Sequence, residues 1–165
     1  MKDQEVKVKL SEVLCRVLEQ VTFAFSEPVS DTGKVDPAAE PFIEVTLKYW
    51  GASSGRVLLI LPLSLSRQLG ASMLGLDPDA DDSADTQADA AKEIGNIMTG
   101  QMLTAVYGPR AVFNMEAPVV RELTAEEFFS ILDGHQYVCN MVEGRPVIAV
   151  FVEAEGVHER QSTHR

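Results

Sequence analysis

Four residues on one stretch of the sequence have types and spacing suited to docking against another protein through polar groups: Asp89, Glu93, Asn96 and Gly100. They fall inside a segment from about Ser83 to Tyr107 whose apolar residues recur at helical spacing, and Gly108-Pro109 ends it because proline cannot continue the hydrogen-bond ladder. Projected at about 100° per residue, Ala90, Ile94, Ile97, Met98, Met102 and Ala105 form the inward stripe. Asp89, Glu93, Asn96 and Gly100 gather on the other side within roughly a quarter turn of one another. Any amphipathic helix has a polar face, so the patch alone proves nothing. Two details single it out. Asp89 and Glu93 are like charges four apart, and Gly95, Asn96 and Gly100 are poor helix formers at interior positions. A helix selected only for stability would avoid both features.

A carboxamide can accept a hydrogen bond through its oxygen while its NH₂ group donates to another acceptor, so Asn96 can bridge two polar groups at once. Glu93 lies one turn earlier and can pair with a cation on a partner. Asp89 stands near the helix start, where a carboxylate complements the helix dipole. Gly100 leaves the helix surface low, open to close approach by another backbone.

The run Asp89-Ala-Ala-Lys-Glu93-Ile-Gly-Asn96-Ile-Met-Thr-Gly100, followed by Pro118 in Glu116-Ala-Pro118-Val-Val, resembles the motif of the CheC/CheX-type phosphatases of bacterial chemotaxis and two-component signalling. Their pattern is Asp or Ser, then Glu four on, Asn three further, and Pro about two dozen residues downstream. The interval from Asn96 to Pro118 is one residue shorter than the family spacing. Members with two sites repeat the motif on the first helix. Here Glu12 is followed at the third position by Cys15, with no second Asn, so the chain resembles the single-motif CheX type.

The resemblance implies hydrolysis of the aspartyl phosphate on a phosphorylated CheY-like receiver domain, with Glu93 and Asn96 as the acting residues and Asp89, Gly100 and Pro118 in partner-binding or supporting roles. It implies no cofactor on this chain, magnesium on the acidic cluster of the receiver, and a homodimer formed through exposed edge strands. An acyl phosphate is already labile, so positioning a water in line supplies much of the rate. The rival reading is a binding module that docks a receiver or motor protein without hydrolysis. A plain structural partner domain is a third.

The elements that must position this patch follow from periodicity. Leu10, Val13, Leu14, Val17, Leu18, Val21 and Phe25 predict a first amphipathic helix ending near Ser26-Glu27-Pro28, followed by a loop from Val29 to Pro41. Phe42 to Tyr49 and Arg56 to Leu61 predict a hairpin, and Leu63 to Leu76 a short helix interrupted at Gly70 and ended at Gly75. After the long helix, strands are expected over Ala111 to Val120, Gln136 to Val142 and Pro146 to Val152, the last two joined as a hairpin by Glu143-Gly144-Arg145, with a capped turn or short helix from Thr124 to Phe128. The order predicts an α+β fold, a mainly antiparallel sheet covered by long helices. Residues 1–155 are expected to form one domain and 156–165 a polar, disordered tail.

The net charge of −11, from 14 Lys and Arg against 25 Asp and Glu, argues against nucleic-acid phosphates and anionic lipid as partners. No apolar run approaches the roughly 20 residues of a membrane-spanning helix, and MKDQEVKVKL lacks the apolar core of a signal peptide, so a cytoplasmic chain is expected. Cys15 and Cys139 lie in apolar segments and read as reduced, buried thiols. Alternate aspartates from Asp77 to Asp82 start like a calcium loop, but Asp82 stands where glycine is required and Ala88 where the twelfth ligand belongs. His135, His158 and His164 do not cluster at a metal-ligand spacing, and Gly51-Ala-Ser-Ser-Gly55 is not a nucleophile elbow. No metal site is expected.

Overall fold

The computed structural model describes residues 3–33, 35–77 and 84–154. In chain order these form α1 (Asp3–Thr22), β1 (Glu27–Val29), β2 (Phe42–Gly51), β3 (Gly55–Pro62), α2 (Leu63–Leu74), α3 (Ala84–Tyr107), β4 (Phe113–Met115), β5 (Val119–Leu123), α4 (Ala125–Gly134), β6 (Tyr137–Val142) and β7 (Arg145–Glu153). The strands make one sheet in the order β1-β6-β7-β3-β2, with β4 and β5 both beside β2. Every ladder is antiparallel. The fold is α+β, as the sequence predicts.

Strand alternation divides the core between the two faces of the sheet. Val45, Leu47, Val57, Leu59, Leu61, Val147 and Ala149 point to one side, where they meet Leu14, Val17 and Leu18 of α1, Leu65 and Leu69 of α2, and Ile94, Met98 and Met102 of α3. Their neighbours Leu58, Ile60, Ile148 and Val150 point to the other side, against Phe128 and Leu132 of α4. Burial of both faces is why β3 reads as a nearly unbroken apolar run. Phe42 and Phe128 meet edge-on there, with ring centroids 4.9 Å apart.

Short-range chemistry sets the ends. Gly75 takes a left-handed φ of 67° and closes α2. Thr124 and Glu127 form a reciprocal capping box at the start of α4. Glu143 and Gly144, with φ of 50° and 76°, make the tight turn between β6 and β7.

Five expectations need correction. The first helix starts at Asp3 and stops at Thr22, so Phe25 lies beyond it and is exposed instead of lying in the core stripe. The expected loop from Val29 is preceded by a strand, β1, paired to β6. The helix over Leu63–Leu74 runs through Gly70, because the missing side chain lets α2 approach α3: a Cβ there would lie 2.8 Å from the Ala90 Cβ. The strand expected over 111–120 is two strands, broken around Pro118, which has no amide hydrogen to give the ladder. Cys15 is half-buried, whereas Cys139 is buried as expected. The tail 156–165 and most of the acidic stretch after Asp77 lie outside the described residues.

Candidate functional site

The patch on α3 is held by what lies beneath it. Ala90, Ala91, Ile94, Met98, Met102 and Leu103 are buried under the helix, while Asp89 and Glu93 are exposed and Asn96 and Gly100 are half-buried. Gly95 belongs to the inner face. A Cβ there would lie 2.9 Å from Val45 Cγ1 and 3.0 Å from Leu47 Cδ1, so its missing side chain lets α3 settle onto β2. Gly100 is different: among the described residues, nothing lies within 4 Å of a Cβ built on it. Among the described residues, no side-chain hydrogen bond or ion pair engages Glu93 or Asn96. Both remain available to a partner.

α1 packs beside α3 on the same side of the sheet and runs antiparallel to it. Asp3, Val6 and Lys7 at the start of α1 share a cleft with Val106 and Tyr107 at the end of α3, and Arg16 Nε donates to Gln101 Oε1 at 3.2 Å. Continuing that register brings the end of α1 alongside Glu93 and Asn96. On the outward surface around the patch carboxylates outnumber cations, with Glu12 and Glu19 flanking Arg16 on α1 and Asp85, Asp89 and Glu93 beside Lys92 on α3. A partner seated here needs cationic groups.

No protein-family model and no curated protein matches the chain. Solved structures do. The chemotaxis protein CheX from Desulfovibrio desulfuricans superposes with a TM-score of 0.65 at 14% identity, over 91% of this chain and 99% of that one. A CheC-like chemotactic protein from Shewanella oneidensis gives 0.64 at 14% identity, covering 93% and 100%. The CheX–CheY complex with BeF3 and magnesium from Borrelia burgdorferi gives 0.60 at 14% identity, covering 90% and 97%. This chain has the CheC/CheX fold.

Within that CheC/CheX fold, Pro118 is half-buried in the break between β4 and β5. The amide of Glu116 closes β4 by donating to the Lys48 carbonyl at 3.0 Å. α3 packs against β2 and β5, the strand that begins one residue after the proline.

Other polar groups have structural surroundings. Tyr107 donates its hydroxyl to the Glu153 carboxylate, and burial, followed by that bond, pushes its pKa up. Tyr49 is buried; its hydroxyl makes no hydrogen bond of good geometry among the described residues, and burial followed by the neighbouring Tyr107 pushes its pKa far up. Burial pushes the Cys139 thiol up to about 11, which leaves it an unreactive core residue. Asn140 is fully buried, accepting from Ser11 Oγ at 3.1 Å and donating to Ser26 Oγ at 3.0 Å, a lock between α1 and β6. Trp50 lies near the end of β2, opposite Asn114 of β4, and is exposed. Among the described residues no group of His, Cys, Asp and Glu could hold a metal ion, and no helix is long and apolar enough to cross a membrane.

Sequence reasoning missed one feature next to the patch. Phe23 and Phe25, just past the end of α1, are 74% and 79% exposed. The signal available was the pair itself, Phe-Ala-Phe, immediately before Ser26-Glu27-Pro28, where helical phase can no longer be assumed.

Proposed function

We propose that the chain is a phosphatase acting on the aspartyl phosphate of a CheY-like receiver domain. The observation that carries this reading is a free carboxamide and a free carboxylate, Asn96 and Glu93, presented one turn apart on the outward face of α3. The fold adds support, since it is shared with a CheX solved in complex with CheY.

In this reading Asn96 accepts a hydrogen bond from a water and donates from its NH₂ group to a phosphoryl oxygen, fixing the water in line with phosphorus. The water oxygen forms the new P–O bond as the bond to the aspartyl oxygen breaks. The receiver carboxylate leaves with the bonding electron pair, and the water proton passes to the phosphate product. Aspartate at position 96 would set a negative charge beside the phosphoryl group, and lysine could not accept from the water. Glu93 pairs with a lysine next to the phosphorylation site and fixes the docked register. Asp89, one turn before Glu93, is assigned a supporting role beside the docked receiver, and Gly100 lets the receiver backbone come close. Magnesium is held by the receiver.

The test is release of phosphate from acetyl-phosphate-loaded receivers of the same organism. Asn96→Ala is expected to lower kcat by about a hundredfold or more, the cost of removing one preorganised group at a reacting centre. Unchanged dephosphorylation by Asn96→Ala sinks the mechanism. Binding that depends on Glu93 without faster phosphate release means a docking module instead.

A further inference from the structure

α1 and α2 both end in a residue with left-handed backbone, and the two ends are built from opposite residue types. α2 uses Gly75, with φ of 67°, which carries no side chain to strain. α1 uses Phe23, with φ of 60°; the amides of Phe23 and Ala24 close back onto the carbonyls of Glu19 and Leu18 at 3.1 and 3.2 Å. A bulky residue in this region is strained, and glycine would relieve it. The phenyl ring returns little to the fold, since Phe23 is 74% exposed. Phe25, two residues on, is 79% exposed. Backbone strain kept together with two solvated aromatic rings is costly to the free chain and points to a contact made with something else.

The position of the rings says which partner. In the antiparallel register marked by Arg16 and Gln101, Asn96 lies opposite about Val21, so Phe23, the first residue past the end of α1, is only two residues further along the chain. With a rise of about 1.5 Å per residue and helix axes about 8–10 Å apart, Phe23 sits roughly 10 Å from Asn96. Whatever covers Asn96 and Glu93 therefore reaches Phe23. Phe23 and Phe25 also border an open depression of about 770 Å³ on the outer face of α1, lined by Glu12, Cys15, Arg16 and Glu19. Apolar rings beside Glu12 and Glu19 match a protein surface that is apolar at its centre and basic at its rim.

We infer that Phe23 and Phe25 form an aromatic anchor on which the receiver domain docks, seating its phosphorylation site over Asn96. This rests on the phosphatase reading above. It adds a specificity surface on α1, separate from the α3 residues that meet the phosphoryl group. The anchor contributes to affinity and leaves the chemical step alone, because the rings do not touch the reacting atoms.

The test measures KM and kcat for the phosphorylated receiver, together with the Kd for a BeF3-activated receiver. Phe23→Gly is expected to raise KM and Kd about tenfold, equivalent to about 1.4 kcal/mol, with kcat within about twofold of the unsubstituted protein. The same variant is expected to raise the thermal midpoint by about 2–4 °C by relieving the backbone, so weaker docking cannot be put down to a damaged fold. Phe25→Ser is expected to raise KM likewise. Phe129→Ser, at an exposed ring on α4 across the sheet, is expected to change neither KM nor Kd. If the unsubstituted protein hydrolyses the phosphate and both variants keep its KM and Kd, the anchor is refuted and the phosphatase reading stands. If it neither binds nor hydrolyses, both fall. A change in sedimentation with KM unchanged assigns the rings to self-association and refutes the anchor.

Discussion

α3 carries two glycines five residues apart whose replacement by alanine should act in opposite directions. Each change improves intrinsic helix propensity by about 1 kcal/mol. That gain is common to both and cancels when the variants are compared. At Gly100 nothing among the described residues opposes the new methyl, so Gly100→Ala is expected to gain about 1 kcal/mol. At Gly95 the methyl would lie 2.9 Å from Val45 Cγ1 and 3.0 Å from Leu47 Cδ1. Val45 and Leu47 are fully buried, so neither can swing into solvent. Overpacking of this kind costs about 1–3 kcal/mol, which places Gly95→Ala between no change and a loss of about 2 kcal/mol. The difference between the two variants isolates the packing of α3 on β2. Urea unfolding followed by circular dichroism measures it, provided the slopes agree. Two variants within about 0.5 kcal/mol of each other would refute the argument that Gly95 is required for the helix to sit on the sheet.

Two further outcomes follow from the capping box and from the buried phenol. Thr124 Oγ1 accepts from the Glu127 amide at 3.1 Å while the Thr124 amide donates to Glu127 Oε1 at 3.2 Å, so Thr124→Ala is expected to cost about 1 kcal/mol in urea unfolding. The Thr124 amide, its hydroxyl and then Arg121 hold the Glu127 carboxyl below the usual range; its contribution is present above the ordinary glutamate pKa and lost as pH falls through the folded value. Thr124→Ala should therefore flatten the acid side of the stability profile, and an unchanged acid slope counts against this. Tyr49→Phe removes a buried hydroxyl without a well-formed hydrogen bond and is expected to stabilise by about 1 kcal/mol at pH 8. Because the folded pKa of Tyr49 is raised, its contribution is intact below about 10, the ordinary tyrosine value, and is lost as pH rises from there. The advantage of the phenylalanine variant should widen at pH 10.5, and a constant gap would show that another group governs the alkaline side.

Elements with strong local chemistry were legible in the sequence. The long helix was expected from about Ser83 to Tyr107 and is described from Ala84 to Tyr107, because an apolar stripe and Gly108-Pro109 mark it without reference to the rest of the chain. The hairpin turn at Glu143-Gly144 and the cap at Thr124 are equally local. Features that depend on distant partners were not legible. β1 is three exposed residues, one of them proline, and only its pairing with Cys139, Asn140 and Met141 makes it a strand. Gly70 looked like an interruption because Ala90, twenty residues away, supplies the reason for it. Gly95 was counted among the unfavourable residues of the outward patch, yet its cause lies below, in Val45 and Leu47. Asn96 and Glu93 were legible as an outward pair. The end of α1 was not: a phenylalanine at positive φ follows no propensity rule, and Phe25 kept helical phase on paper after the helix had stopped.

The place of β7 between β3 and β6 sets the order in which this chain can be completed during synthesis. β3 finds β2 at once through a short turn, but its other edge pairs with Arg145–Glu153, roughly 90 residues downstream. At about 5–20 residues per second, that edge waits some 5–20 s for its neighbour to be made. The waiting segment is Val57-Leu-Leu-Ile-Leu61, the most apolar strand of the protein, and an open apolar edge is a template for pairing with other chains. α3 can coil early from local contacts, yet the sheet beneath its outward residues closes only when the last strand arrives. A nascent chain stopped at Glu143 would thus lack an inner strand, with β6 and β1 severed from the rest of the sheet.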